Sequence, residues 1–151
     1  MIRAVLDTNI IVRGHISPHG ASANVLDAFY DRRYVWVTSP LIIREIDEVL
    51  RRPNIRIFTG MSLSEINEFV DLLWLETEVV PGMFEIEKIE LDPTDDKFIA
   101  AAFEGRADYI VTEYALHLLP IKEYRLIDHI VRLVTASKFL SISTVGGFYT
   151  S

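Results

Sequence analysis

Met1-Ile-Arg-Ala-Val-Leu-Asp-Thr-Asn9 is the stretch of the sequence that decides the fold class. Residues 4–6 are consecutive apolar residues, a pattern typical of a strand that is buried on both faces. Asp7 places a carboxylate directly after this strand, and Thr8 and Asn9 are short polar residues suited to a tight turn or a helix cap. A strand that ends in an acidic residue predicts an α/β fold with its functional site at the carboxyl ends of the strands.

The composition indicates a globular protein with one hydrophobic core. The chain has 151 residues, of which 50% are hydrophobic and 25% charged, and this length suits a single domain. No apolar stretch approaches the roughly 18 residues that a membrane span needs, and the N-terminus lacks the basic and apolar segments of a secretory signal. The absence of cysteine excludes disulfides, zinc–thiolate sites and cysteine nucleophiles. We therefore expect a cytoplasmic protein with no membrane partner.

The formal net charge of −7 bears on nucleic-acid binding. Phosphate contacts need Lys and Arg, so this balance argues against a protein that binds nucleic acid mainly through its charge. It argues less against a metal-dependent nuclease, because a bound cation partly neutralises the acidic residues. Few basic residues are available for phosphate contact, namely Arg13, Arg32, Arg33, Arg51, Arg52 and Lys97. Arg51 and Arg52 are better explained as residues that complement the dipole at a helix C-terminus.

Strands and helices alternate along the chain, as they do in sheets of mainly parallel strands. After the first strand, the pattern predicts strands at Tyr34–Thr38, Val79–Val80, Asp108–Thr112 and Ile130–Val134. It predicts a short helix that breaks into a loop within residues 10–20. It predicts further helices at Ala21–Arg33, between Ser39 and Pro53, from Ser62 to about Thr77, from Asp92 to Gly105, at Ala115–Leu119 and from Thr135 to Leu140. Residues 83–91 read as an exposed connector or edge segment. Trp36 and Trp74 have the spacing of core residues.

The predicted domain covers residues 1–140, without internal repeats or a linker. Residues 141–151 are rich in Ser, Thr and Gly. We expect them to form a C-terminal tail that either frays or adds an edge strand.

Acidic residues occupy special positions on these elements. At about 100° per residue, Glu45 falls inside the border of the apolar stripe of its helix, whereas Glu48 lies further round and is expected to be solvated. Asp96 begins a row at spacing i, i+3, i+4 and i+7 that is expected to face the core. Asp95 heads a similar row, and periodicity does not separate the two. Glu113 closely follows a buried strand.

In a right-handed parallel sheet, Asp7, Glu45, Asp96 and Glu113 are expected to converge above one edge. Carboxylates that lie close together repel one another and stay ionised when a cation sits between them. Oxygen ligands without cysteine or clustered histidine suit a hard ion, Mg²⁺ or Mn²⁺. Such an ion lowers the pKa of a bound water and stabilises charge on a phosphoryl group. The pattern therefore predicts hydrolysis of phosphodiesters.

Each of these acids also has a structural interpretation that spacing leaves open. Asp7 would cap the turn after the first strand, and Glu45 would be a solvated helix acid. Asp96, like Asp95, would favour the positive end of its helix dipole. Glu113 would be a loop acid. The histidines show no metal-ligand spacing and are interpreted as structural or surface residues, namely His15, His19, His117 and His129.

Two other chemistries fit the first strand poorly. A phosphatase with an aspartyl nucleophile wants a second Asp two residues after the first, and that position is Asn9. Dinucleotide binding needs a Gly-x-Gly-x-x-Gly loop after the strand, which this sequence lacks. The residues thus favour a metal-dependent hydrolase.

A set of motifs, taken in order, resembles the PIN domain family over essentially the whole chain. The motifs are Val5-Leu-Asp-Thr-Asn9, Ser39-Pro-Leu-Ile-Ile-Arg-Glu45, Leu50-Arg-Arg-Pro53, Asp92-Pro-Thr-Asp-Asp-Lys-Phe-Ile-Ala-Ala100 and Ala107-Asp-Tyr-Ile-Val-Thr112. Each motif alone is weak, but the ordered set is specific. The branch that it resembles most contains the PIN toxins of prokaryotic toxin–antitoxin pairs (VapC-like).

The resemblance implies a three-layer α/β/α fold with a central, mainly parallel sheet of about five strands. It also implies binding of Mg²⁺ or Mn²⁺ and ribonuclease activity. Asp7, Glu45 and Asp96 match the family's first three acids, which ligate metal or position the attacking water. Asn9 and Thr112 match its supporting polar positions.

The family's fourth acid is where this sequence departs from the pattern. That acid normally follows the last motif as Thr-Gly-Asp or Thr-x-Asp, whereas this chain reads Thr112-Glu-Tyr-Ala-Leu-His117. Either Glu113 replaces the Asp from one position earlier and ligates metal, or the acid is lost together with a second metal position.

Two functions follow from this interpretation. The first is an endoribonuclease that cuts single-stranded RNA, acts as a toxin neutralised by an antitoxin protein, and forms a homodimer as PIN relatives often do. Its RNA contacts would come from Arg13, Arg51, Arg52 and Lys97. The second is a degenerate PIN domain that binds RNA or a protein without cleaving it. The missing fourth Asp and the lack of a strong basic patch motivate the second.

Overall fold

The computed structural model describes residues 1–85, 96–117, 123–126, 128–142 and 145. In these ranges the strands are β1 (Arg3–Leu6), β2 (Val35–Thr38), β3 (Glu78–Val79), β4 (Tyr109–Val111), β5 (Glu123–Leu126) and β6 (His129–Val134). The helices are α1 (Thr8–Ile16), α2 (Ala21–Tyr30), α3 (Pro40–Arg51), α4 (Pro53–Thr59), α5 (Leu63–Glu76), α6 (Asp96–Glu104) and α7 (Ala136–Leu140). A short 3₁₀ helix spans Glu113–His117.

The described strands form one sheet in the order β3-β2-β1-β4-β6-β5. Neighbouring strands are parallel except for β5, which runs antiparallel to β6. Successive side chains of a strand point to opposite faces of a sheet. Because Ala4, Val5 and Leu6 are all fully buried, both faces of β1 are covered. The predicted α/β/α fold with a central, mainly parallel sheet is confirmed, with one strand more than expected.

Local capping signals set the helix boundaries that the sequence predicts. Ser39 caps α3, because its Oγ accepts the backbone N–H of Ile42 at 3.3 Å, and Pro40 fills the first helical position. Ser62 and Glu65 form a capping box at the start of α5, with reciprocal hydrogen bonds of 3.0 and 3.1 Å. The hydrogen bond from the backbone N–H of Ser62 is the main reason why the pKa of the Glu65 carboxyl lies below its usual value.

Two elements of the structure were absent from the prediction. Pro53 ends α3 as expected but also opens α4, since proline suits the first position of a helix. Helix α4 has no buried residue, so its sequence has no apolar stripe from which a helix could be predicted. Strand β5 lies at the sheet edge, where a short polar strand is stabilised by its partner β6 and needs little apolar character of its own.

The core prediction is right for Trp36 and wrong for Trp74. Trp36 is fully buried beneath the helices, whereas the Trp74 side chain is 48% exposed. In α5 the buried residues are Ile66, Phe69 and Leu73. Trp74 lies one position beyond this stripe, and helical spacing alone cannot say how wide a stripe the neighbouring elements cover.

Some predicted segments fall outside the described residues. These are residues 86–91 of the connector, residues 92–95 of the helix that ends near Gly105, and the last two residues of the helix predicted at Ala115–Leu119. Of the predicted tail, residues 141, 142 and 145 are described, and Val145 is buried. The boundary at residue 140 and the form of the tail therefore stay predictions. None of the helices in the described ranges is long and apolar enough to cross a membrane.

The capping box gives a stability prediction. Replacing Ser62 with Ala removes the acceptor of the Glu65 N–H and should lower the free energy of unfolding by about 1 kcal/mol, or about 2–4 °C in melting temperature. Urea titration of the two proteins measures the difference. The control is Ser64→Ala, an exposed position in the same helical turn that lacks a capping role. Equal losses in the two variants would contradict the assigned cap.

Candidate functional site

Asp7 lies directly after β1, where its backbone continues the sheet. Its N–H donates to the Val111 carbonyl of β4 at 2.9 Å, and its own carbonyl accepts the N–H of Ile10 at 2.9 Å. Asp7 is therefore the N-cap residue of α1, yet its side chain makes no capping hydrogen bond. The Oδ2 atom instead accepts the hydroxyl of Thr112 at 2.9 Å. The interpretation of the Asp7 carboxylate as a simple turn cap is thus wrong.

Thr112 holds the Asp7 carboxylate in place. Its side chain is buried, at 2% exposure, just after the end of β4. The backbone N–H of Tyr114 donates to Thr112 Oγ1 at 3.3 Å. Because a hydroxyl carries one proton, this contact leaves that proton to point at Asp7. Thr112 therefore orients the Asp7 carboxylate.

Glu45 is half-buried on α3, while Glu48 is exposed, as the stripe predicts. Glu45 Oε1 lies 2.9 Å from Lys97 Nζ, and Oε2 accepts the hydroxyl of Thr8. Thr8 follows Asp7 directly, so this hydrogen bond ties α3 to the end of β1. The sequence did not reveal this role of Thr8, because short polar residues after a strand predict a turn or cap equally well.

Asp7 and Glu45 line one cavity of about 300 Å³ at the carboxyl ends of β1 and β4. A second cavity of about 260 Å³ adjoins the first. Both cavities are lined by Asp7, Asn9, Thr112 and Tyr114. This is the edge of the sheet where the sequence places the site. Tyr114 had no sequence signal, since an exposed tyrosine after a strand is compatible with any loop.

The other two predicted acids, Asp96 and Glu113, do not line the first cavity with Asp7 and Glu45. Asp96 is exposed and lines neither cavity, so the expectation that it faces the core is wrong. It is the first residue of α6, and the buried part of that helix starts at Phe98. Asp95 lies outside the described residues. Glu113 lines the second cavity, where its Oε1 accepts the backbone N–H of Ala136 at 3.4 Å.

The structure separates the predicted basic residues into two groups. Arg51 donates from Nε to Asp47 at 2.7 Å and also to Asn67, and it lines neither cavity. Lys97 pairs with Glu45. Arg52 lines the first cavity and Arg13 lines the second. Adjacent positions in the sequence, Arg51 and Arg52, thus have different environments.

His15 and His129 have structural contacts, whereas the His19 side chain is exposed. His15 packs edge-on against Phe69, with ring centroids 4.8 Å apart, and its Nδ1 lies 2.8 Å from the Ile11 carbonyl. Burial lowers the pKa of the His15 imidazole. His129 Nε2 lies 2.6 Å from the Ala107 carbonyl. Neither ring lines the cavities beside Asp7, in keeping with their predicted roles.

The carboxylates of the first cavity fit a hard divalent ion. In the part of the chain that the structure describes, no three His, Asp or Glu side chains are close enough to hold a metal together. The expected convergence of all four acids is therefore not observed. Magnesium, however, is often held by one or two carboxylates, with water and substrate phosphates completing its shell. Asp7, Glu45 and Asn9 line the first cavity, and their side chains include oxygen ligands of this kind.

A family model described as PIN domain matches residues 3–113. The chain belongs to the PIN domain family. The match runs from β1 to the residue after Thr112 and includes Asp7, Glu45 and Asp96. PIN domains are generally nucleases and typically use divalent metals. The predicted family is confirmed, and its toxin branch stays a prediction.

An uncharacterized protein of the archaeon Methanocaldococcus jannaschii, MJ1680, is similar to this PIN domain. The two sequences are 29% identical over 108 residues, which cover 70% of this chain and 67% of that protein. The similarity supports the family and carries no information on a substrate.

Metal binding at Asp7 and Glu45 should raise thermal stability, because an ion that binds only the folded state stabilises it. At 100 times its dissociation constant, Mn²⁺ should raise the melting temperature by about 5–10 °C. Asp7→Asn and Glu45→Gln should each remove most of this shift in differential scanning fluorimetry. Glu48→Gln, an exposed acid on the same helix as Glu45, is the control and should keep it. The same shift in all four proteins would place the ion elsewhere.

Proposed function

We propose that this PIN domain is a metal-dependent endoribonuclease that hydrolyses phosphodiester bonds of single-stranded RNA. The observation that carries the proposal is the placement of Asp7 and Glu45 on one cavity at the carboxyl ends of β1 and β4. Family membership supports nuclease chemistry, and the ordered motifs support RNA as the substrate.

The chain's own residues prepare the cavity for a phosphate. Asp7, oriented by Thr112, and Glu45, tied to α1 by Thr8, would hold Mg²⁺ or Mn²⁺. When bound, the ion lowers the pKa of a water molecule and stabilises charge on the phosphoryl group. The Lys97 ammonium, 2.9 Å from Glu45 Oε1, offsets negative charge that would otherwise repel a phosphate.

Asn9, Asp96 and Glu113 are further candidate site residues, and each is supported by a different observation. Asn9 lines both cavities and is a supporting oxygen donor. Asp96 enters only as the match to the family's third acid, since its side chain is exposed and lines neither cavity. Glu113 enters as a replacement for the fourth acid and lines the second cavity beside Asp7.

Cleavage of a closed circular single-stranded RNA tests the activity, because a circle has no ends and only an endonuclease can open it. The wild-type protein should linearise the circle with Mn²⁺ or Mg²⁺ and leave it intact with EDTA. Asp7→Asn should lower the rate by at least about 100-fold, while Glu48→Gln should keep the wild-type rate. Equal rates for Asp7→Asn and the wild-type protein would refute the proposal.

A degenerate PIN domain that binds without cleaving is the second candidate. Two observations favour it: Glu45 already has a cationic partner in Lys97, and Glu113 accepts a backbone hydrogen bond at the start of α7. On this alternative the wild-type protein would bind single-stranded RNA or a protein partner, leave the circle intact and show no Mn²⁺-dependent rise in melting temperature.

We further propose that the nuclease is a toxin, active in the cytoplasm as a homodimer and neutralised by an antitoxin protein. The resemblance of its ordered motifs to the toxin branch supports this role. Induced expression of the wild-type chain in a bacterial host should arrest growth, and Asp7→Asn at the same protein level should not. Growth arrest by both proteins, or by neither, would contradict a toxic nuclease.

A further inference from the structure

Each of the two cavities beside Asp7 carries one arginine. Arg52 lines the first cavity, Arg13 lines the second, and Asp7 lines both. Both arginines are exposed. Among the residues that the structure describes, neither guanidinium has a hydrogen bond or ion pair. Asp7 thus shares each of its two cavities with an arginine whose donors are available.

The lack of a hydrogen bond or ion pair distinguishes Arg52 and Arg13 from Arg51 and Lys97, the other residues predicted to contact RNA. Arg51 is held by Asp47 and Asn67, and Lys97 is held by Glu45. A guanidinium presents donors in a planar fork that matches the oxygens of a phosphate. An unpaired arginine on a cavity wall therefore suits a phosphodiester better than a lysine already paired with a carboxylate.

Tyr114 lines both the cavity that holds Arg52 and the cavity that holds Arg13. Its side chain is 48% exposed, and its backbone N–H is fixed by Thr112 Oγ1 at 3.3 Å. An exposed aromatic ring on a fixed backbone is a platform on which an unpaired base can stack. Bases in a duplex are stacked on one another and cannot use such a platform.

We propose that Arg52, Asp7 and Arg13 follow a groove for single-stranded RNA, with a phosphate at each arginine and a base on Tyr114. The proposal rests on the proposed function for the identity of the ligand. The strand crosses Asp7 and continues on both sides of it, so the groove accepts an internal phosphodiester bond.

Fluorescence anisotropy of a labelled single-stranded RNA of random sequence and about 12 nucleotides measures this binding directly. The buffer contains Ca²⁺ in place of Mg²⁺, so that binding is measured apart from cleavage. Like Mg²⁺, Ca²⁺ takes oxygen ligands. Arg52→Gln and Arg13→Gln should each weaken binding about fivefold to tenfold. Between about 50 and 200 mM salt, each should flatten the slope of log K against log salt by about 0.7, and the double variant by about twice that.

Matched controls separate the groove from general charge. Arg32→Gln removes the same charge at the opposite edge of the sheet, beside Met1 and Asp108, and should keep the wild-type affinity and slope. Tyr114→Ala should weaken binding about tenfold or more without changing the salt slope, and Tyr114→Phe should restore it. Trp74→Ala, which removes an equally exposed ring on α5, should have no effect.

The outcomes distinguish the groove from the proposed function. Binding that depends on both arginines and on the Tyr114 ring, without cleavage of the circular RNA, keeps the groove and refutes the nuclease. Cleavage with unchanged affinity in the arginine and tyrosine variants keeps the nuclease and overturns the groove. Equal weakening by Arg32→Gln, or no binding of the single-stranded probe by the wild-type protein, also overturns it.

Discussion

The parallel pairing of β1 with β4 is the constraint on which the site depends. The register sets Leu6 opposite Val111, and the Asp7 N–H extends the ladder to the Val111 carbonyl. Consequently the next residues of both strands, Asp7 and Thr112, meet at the same edge and form their side-chain hydrogen bond. The position of the carboxylate is set by the backbone of a strand whose last three residues are fully buried, and such a strand is more rigid than a surface loop.

Glu45 reaches the same edge by a different route. The Ser39 cap and Pro40 fix the first turn of α3, and that start determines which face of the helix Glu45 occupies. The hydrogen bond from Thr8 then joins the end of β1 to α3. The Thr8 side chain, next to Asp7, thus couples the end of β1 to the face of α3 that carries Glu45. The local sequence sets each of these two elements.

The sequence predicted those features whose causes lie within a few residues of one another. The buried run before Asp7, the Ser39 cap and the border position of Glu45 are of this kind. Asp96 was misjudged because helical spacing does not say where α6 begins to pack on the sheet. Trp74 and β5 depend on which distant elements cover them, and no local pattern contains that information. Tyr114 lines the cavities beside Asp7 only because the fold brings the end of β4 next to α1.

Net charge proves a poor guide to what this protein can bind. The chain carries −7 overall, but charges separated by more than the Debye length of about 8 Å at physiological salt are largely screened. A phosphate near Asp7 is therefore affected mainly by the groups that line the adjoining cavities. The charged residues that line these cavities are two cations, Arg52 and Arg13, and three acids, Asp7, Glu45 and Glu113. A divalent ion at the carboxylates would turn this local balance in favour of an anion, and the acidity of the remaining surface would matter little.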